Sequence, residues 1–112
     1  MAAQQRRVTG TPFQRSVWKA LESIPEGRVT TYGDLAAYLG TDAVRAVATA
    51  VGKNPHAPRV PCHRVVRADG TIGRYSGEGG VGRKRELLAR EGVRVEHGRI
   101  AGFDALRYRF AD

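Results

Sequence analysis

Apolar residues first recur at helical spacing at Phe13, Val17, Trp18, Leu21 and Ile24, which places them on one face of a helix. Its start is marked by Thr11 as N-cap, Pro12 at the first helical position and Gln14 three residues past the cap; Pro25-Glu26-Gly27 stops it. Trp18 reads as ordinary core packing. A second helix is predicted after Thr31, through Tyr32, Leu35, Ala36 and Leu39 to a stop at Gly40. Thr41 or Asp42 then caps a third, over 43–51, ended by Gly52. Two short helices joined by a glycine-containing turn form a helix-turn-helix, whose second helix is the DNA reader. Here that helix would present Arg45 among Ala43, Val44, Ala46, Val47 and Ala48, small residues that let a duplex come close. A helical hairpin packed on the core gives the same pattern, and most such hairpins do not bind DNA.

Beyond a Pro-containing loop over 53–59, Val60-Pro61-Cys62-His63-Arg64-Val65-Val66 reads as extended, and Ala68-Asp69-Gly70-Thr71 as a turn, so a short hairpin is predicted beside the cysteine. The stretch 73–82 is glycine-rich and predicts a loop; Leu87 and Leu88 within 83–90, with a stop at Gly92, predict a helix. Val93, Val95, Ile100, Leu106, Tyr108 and Phe110 suggest short strands or an extended cover. The expectation is one α/β domain, mainly helical, over 11–112, preceded by a flexible basic arm over 1–10. Neither an internal repeat nor an interdomain linker is visible.

Composition narrows the partners. Of 112 residues, 19 are Lys or Arg against 11 Asp or Glu, a net charge of +8. Such a balance favours a polyanion, because each phosphate neutralised releases counterions; nucleic acid leads over an anionic membrane, and a merely solubilising surface is the bland reading. A single cysteine excludes an intramolecular disulfide, and no spaced Cys/His set suggests structural zinc. No apolar run approaches the roughly 20 residues of a membrane span, and the first ten residues hold no apolar signal core. We therefore expect a cytoplasmic monomer, nuclear if eukaryotic, without metal or cofactor.

Lone cysteines are usually inert. Cys62 stands apart because His63, Arg64 and Arg59 lie near it in sequence, and a neighbouring base or cation increases the thiolate fraction. Adjacent residues of an extended segment point to opposite faces, so a proton would pass from Cys62 to His63 through a bridging water. A carboxylate would then orient the imidazole; Glu91, Glu86 and Glu78 are the candidates, and spacing does not choose among them.

Pro61-Cys62-His63-Arg64-Val65 resembles the active-site signature of the O6-alkylguanine-DNA alkyltransferases. The similarity runs in order through Thr11-Pro12-Phe13-Gln14, Val17-Trp18, Ile24-Pro25, Thr31-Tyr32, Arg45-Ala46-Val47, Gly52-Lys53-Asn54-Pro55, Tyr75-Ser76-Gly77, Lys84, Leu87-Leu88 and Glu91-Gly92. The resemblance implies repair of double-stranded DNA by flipping out a damaged guanine and passing its O6-alkyl group irreversibly to Cys62, once per molecule. It implies a Cys62, water, His63, Glu91 relay, with Asn54 shaping the loop before the cysteine. Tyr32 would rotate the nucleotide and protonate the departing guanine. Arg45 would fill the vacated stack. Thr31, Ala43 and Ala46 would face DNA. Pro61, Val65, Tyr75, Ser76 and Gly77 would form the base pocket, with the Ser76 hydroxyl toward guanine O6 and the Val65 carbonyl toward the exocyclic amine.

Two features depart from the family. Most members carry a further N-terminal domain, so the chain looks like the catalytic domain alone. The lid reads Tyr75-Ser76-Gly77-Glu78-Gly79-Gly80, longer than the usual run. Small size and an altered lid also resemble the alkyltransferase-like proteins, which bind O6-alkylguanine without repairing it and recruit excision repair; those characteristically replace the cysteine, commonly by tryptophan, whereas Cys62 is present. A transcriptional helix-turn-helix regulator would account for the charge and the helices but leaves Pro61-Cys62-His63-Arg64-Val65 unexplained.

Overall fold

The computed structural model describes residues 10–75 and 79–110; the expected basic arm lies, but for Gly10, outside them. Helix α1 (Pro12–Leu21) begins on the capping box read from the sequence. The Thr11 hydroxyl accepts from Gln14 N at 3.1 Å, and the Gln14 side chain accepts from Thr11 N at 2.8 Å. Val17, Trp18 and Leu21 are buried, whereas Phe13 is exposed in the first turn. The Trp18 indole donates to Ala50 O at 2.8 Å, so this core residue also fastens α1 to the third helix.

Strand β1 (Thr30–Thr31) leads directly into α2 (Tyr32–Tyr38), capped by the Thr31 hydroxyl, which accepts from Asp34 N at 2.9 Å. Gly40, at φ +77°, turns the chain toward α3 (Val44–Gly52). Neither Thr41 nor Asp42 is the N-cap: Ala43 occupies that position without a side-chain bond, and Thr41 instead stabilises the turn by accepting from Ala43 N at 3.1 Å. Leu35, Ala36, Val47, Ala50 and Val51 close this helix pair onto α1.

The cysteine segment is a 3-10 turn (Cys62–Arg64), not an extended run, followed by β2 (Val65–Val66). The Asp69-Gly70 turn forms as expected and is closed by Arg67 N donating to Thr71 O at 3.0 Å. Its arms, however, do not make a hairpin: β2 pairs in parallel with β1 (Thr30 with Val65, Thr31 with Val66), and Thr71 bridges to Arg99. The reason is burial. Val65 packs into the core of α1, α2 and α3, while Val66 packs into a second cluster with Val29, Ile72, Leu88, Val93 and Ile100. A strand apolar on both faces belongs inside a fold, paired to another buried strand.

Helix α4 (Gly80–Arg90) starts earlier than its apolar pattern suggested, taking in glycines read as loop. Among the described residues the antiparallel hairpin is β3 (Val95–Glu96) with β4 (Arg99–Ile100), turned at His97 and Gly98, both at positive φ. A last short helix, α5 (Phe103–Leu106), delivers the tail to β1: Val29 N donates to Leu106 O at 3.0 Å and Tyr108 N to Val29 O at 2.6 Å. The result is α/β and mainly helical, with the parallel strand pair between the two cores.

Candidate active site

The cysteine loop is shaped by Asn54, whose Nδ2 donates to Val60 O at 2.7 Å while its Oδ1 accepts from His56 N at 3.0 Å. Cys62 N donates to Val60 O at 2.8 Å, tightening the turn that presents the thiol. Cys62 is 8% exposed and lies at an open cleft of about 820 Å³ between α3 and the chain following β2. Tyr32, Arg45, Arg67, Arg74 and Tyr75 line the same cleft, so residues far apart in sequence share it with the cysteine.

His63, 2% exposed, faces away toward a smaller cleft of about 400 Å³ shared with Glu26, Arg59 and Glu91. Its Nε2 lies 2.9 Å from Glu91 Oε2, at the C-terminal cap of α4. That selects among the acids: Glu86 pairs instead with Arg83 and Arg90, and Glu78 lies outside the described residues. His63 Nδ1 is buried and has no hydrogen-bond partner among the described residues. Arg64, nominated as an activator of the thiol, serves the carboxylate: Nε and Nη2 donate to the two Glu91 oxygens at 2.9 and 2.7 Å, and Nη1 donates to Ile24 O at 2.7 Å. Arg59 likewise lies on the histidine side.

Burial, the largest influence, pushes the Cys62 thiol above its ordinary pKa, against a hydrogen bond from Asn54 and the charge of Lys84. Burial also lowers His63, which Glu91 only partly counters, with Arg64 and Lys84 lowering it further. Glu91 is held below the usual carboxylate value: burial pushes it up, but hydrogen bonds from Arg64 and His63 outweigh that. Burial, with the neighbouring Cys62, raises the Tyr32 phenol against the charge of Arg67. At neutral pH the site therefore holds a thiol, a neutral imidazole hydrogen-bonded to a carboxylate, and a protonated phenol.

Sequence reasoning gave Lys84 no role, yet it is the largest fully buried side chain, at 0% exposure. Its Nζ donates to the carbonyls of Val65 (2.8 Å), Ile72 and Arg74 (3.0 Å), tying α4 to the strand and loop beside the cysteine. Burial brings its pKa down to about 7. The signal was present: Lys84 precedes Leu87 and Leu88 by three and four residues, on the core face of the helix.

The remaining nominated residues divide. Arg45, Ala43 and Ala46 are exposed on or beside α3. Thr31 is not: it is 1% exposed with its hydroxyl committed to capping α2, which corrects its placement as a DNA-facing group. Pro61 is buried and is not among the residues lining the cleft, and the Val65 carbonyl already accepts from Lys84. Ser76 and Gly77 lie outside the described residues.

A family model for the DNA-binding domain of 6-O-methylguanine DNA methyltransferase matches residues 12–93. The chain belongs to this family. It is 56% identical over 84 residues to the methylated-DNA–protein-cysteine methyltransferase of Salmonella typhimurium, an alignment covering 74% of this chain and 48% of that protein. The chain thus spans about half the length of the curated methyltransferases it matches. The structure of Mycobacterium tuberculosis OGT in complex with DNA superposes with TM-score 0.70 at 50% identity, over 74% of this chain and 51% of that one. Schizosaccharomyces pombe Atl1, solved with damaged DNA containing O6-carboxymethylguanine, superposes with TM-score 0.78 at 29% identity, over 92% of this chain and all of its own.

Proposed function

We propose that the protein repairs DNA by transferring the alkyl group of O6-alkylguanine to Cys62. The observation that carries this reading is a lone thiol at the cleft beside Tyr32, Arg45 and Tyr75, backed by the buried His63–Glu91 pair. A thiol kept protonated by burial is a poor nucleophile until its proton is removed during attack, and neutral His63 supplies the base. With Nε2–H donated to Glu91, Nδ1 is free to accept the Cys62 proton through one water. The sulfur–carbon bond forms as the carbon–O6 bond breaks, and Tyr32 gives its proton to the departing guanine. The thioether left on Cys62 has no ready leaving group, so each molecule acts once.

The cleft must receive an extruded nucleotide, whose unstacking costs a few kcal/mol. Arg45, exposed on α3 and lining the cleft, then enters the vacated stack and offsets part of that cost. A second reading, a damage sensor that marks O6-alkylguanine for excision repair, draws on the correspondence with the whole length of Atl1. Intact-protein mass spectrometry after incubation with a duplex carrying one O6-methylguanine separates the two. A gain of one methylene unit, absent in Cys62→Ala, is expected; tight binding with no mass change would leave the sensor reading standing.

A further inference from the structure

The wall of the cleft opposite α3 carries two arginines that the family signature does not include. Arg67 and Arg74 are both exposed and both line the cleft, and neither side chain has a hydrogen-bond or ion-pair partner among the described residues. No acidic residue lines the cleft among the described residues. The acid nearest in sequence to Arg67 is turned inward: Asp69 Oδ1 accepts from Thr71 N at 3.0 Å and from its hydroxyl at 2.7 Å. The stem of Arg67 runs over Gly73, where an added Cβ would lie 3.5 Å from Arg67 Cγ and 3.7 Å from both Lys84 Nζ and the Tyr32 hydroxyl. Arg67 therefore sits beside the buried Lys84, whose charged form it disfavours. Unpaired cations facing one another across a cleft are stabilised by an anion.

Building on the alkyl-transfer reading, we infer that Arg67 and Arg74 form a phosphate-gripping wall, across the cleft from Arg45, that clasps the phosphodiesters flanking the extruded nucleotide. A base that reaches Cys62 leaves its phosphates at the edge of the cleft, and both exposed arginines line that cleft. Arginine suits this contact because its planar fork meets phosphate oxygens in pairs. The grip is indifferent to sequence and acts on the deformed strand rather than on a base edge.

The test is a salt series of binding to a duplex with one O6-methylguanine, read by fluorescence anisotropy, for the wild type, Arg67→Gln, Arg74→Gln and the double variant. Each lost phosphate contact should reduce the slope of log K against log salt by about 0.9, and the double variant by about twice that. Arg94→Gln removes the same charge outside the cleft and should change the slope much less. An unchanged slope in the double variant, or an equal drop in Arg94→Gln, overturns the wall. A second readout places the contact: transfer from the duplex should fall more than transfer from free O6-benzylguanine, and an equal fall would put the arginines in the base pocket instead. If the wild type transfers nothing, the alkyl-transfer reading fails, while the salt series still decides the wall.

Discussion

His63 and Glu91 meet through one 2.9 Å contact, and its consequences for the proposed alkyl transfer can be followed by pH. Glu91 raises the proton affinity of His63 against burial, Arg64 and Lys84, so removing its charge in Glu91→Gln lowers that affinity further. The imidazole then stays neutral to lower pH but is a weaker base. Single-turnover transfer should slow by about tenfold or more at neutral pH, up to the 10²–10⁴ that a general base contributes in full, while the acid limb of its pH profile moves down. An acid limb that stays in place or moves up would sever Glu91 from the histidine. Stability has its own sign. Folded His63 has a depressed pKa, so its neutral form stabilises the fold fully above the unfolded value near 6.5 and that contribution is lost as pH falls toward the folded value.

Helix α1 shows the physics of a legible element. Thr11, Pro12 and Gln14 act locally, the signal needs no tertiary partner, and the observed box follows it. Thr11→Ala should therefore cost about 1 kcal/mol of stability, measured by denaturant unfolding with an unchanged m-value, because Gln14 N loses its acceptor. Helix α4 shows the opposite. Its first turn contains Gly80 and Gly82, which have poor intrinsic propensity, and it forms because Lys84, Leu87 and Leu88 are buried further along. Pairing of β2 was equally hidden, since Val65-Val66 is too short to show alternation and its partner Thr30-Thr31 lies far away in sequence. At the site, Cys62, His63, Tyr32 and Glu91 were nameable from motif chemistry and resemblance, although spacing alone left Glu91, Glu86 and Glu78 open. That Glu91 rather than Glu86 meets the histidine, that Arg64 braces Glu91, and that Lys84 ties three carbonyls are facts of packing that spacing does not encode.

A tail beyond the residues 12–93 matched by the family model adds a further tie across the molecule. The segment after α5 stitches onto β1 through Val29 and Thr30, and Arg28 donates to Leu106 O and Arg107 O at 2.9 Å each. Tyr38 stacks on Phe110 at 4.7 Å, covering α2. The charged link is Arg107, whose Nε and Nη2 donate to the two oxygens of Asp34 at 2.7 and 2.9 Å in the first turn of α2. Half-buried and bidentate, this pair exceeds an ordinary surface ion pair, and Arg107→Ala should cost about 1–2 kcal/mol at neutral pH by thermal unfolding. Hydrogen bonds from Arg107 hold Asp34 below its ordinary pKa, so the link is fully present above the unfolded value near 3.9 and is lost as pH falls through the depressed folded value. The difference between wild type and Arg107→Ala should therefore persist from neutral pH down to about 5 and shrink below about 4. A difference that survives full protonation of Asp34 would mean that the Arg107 side chain acts through its packing on Phe103, and that it fastens the tail without the ion pair.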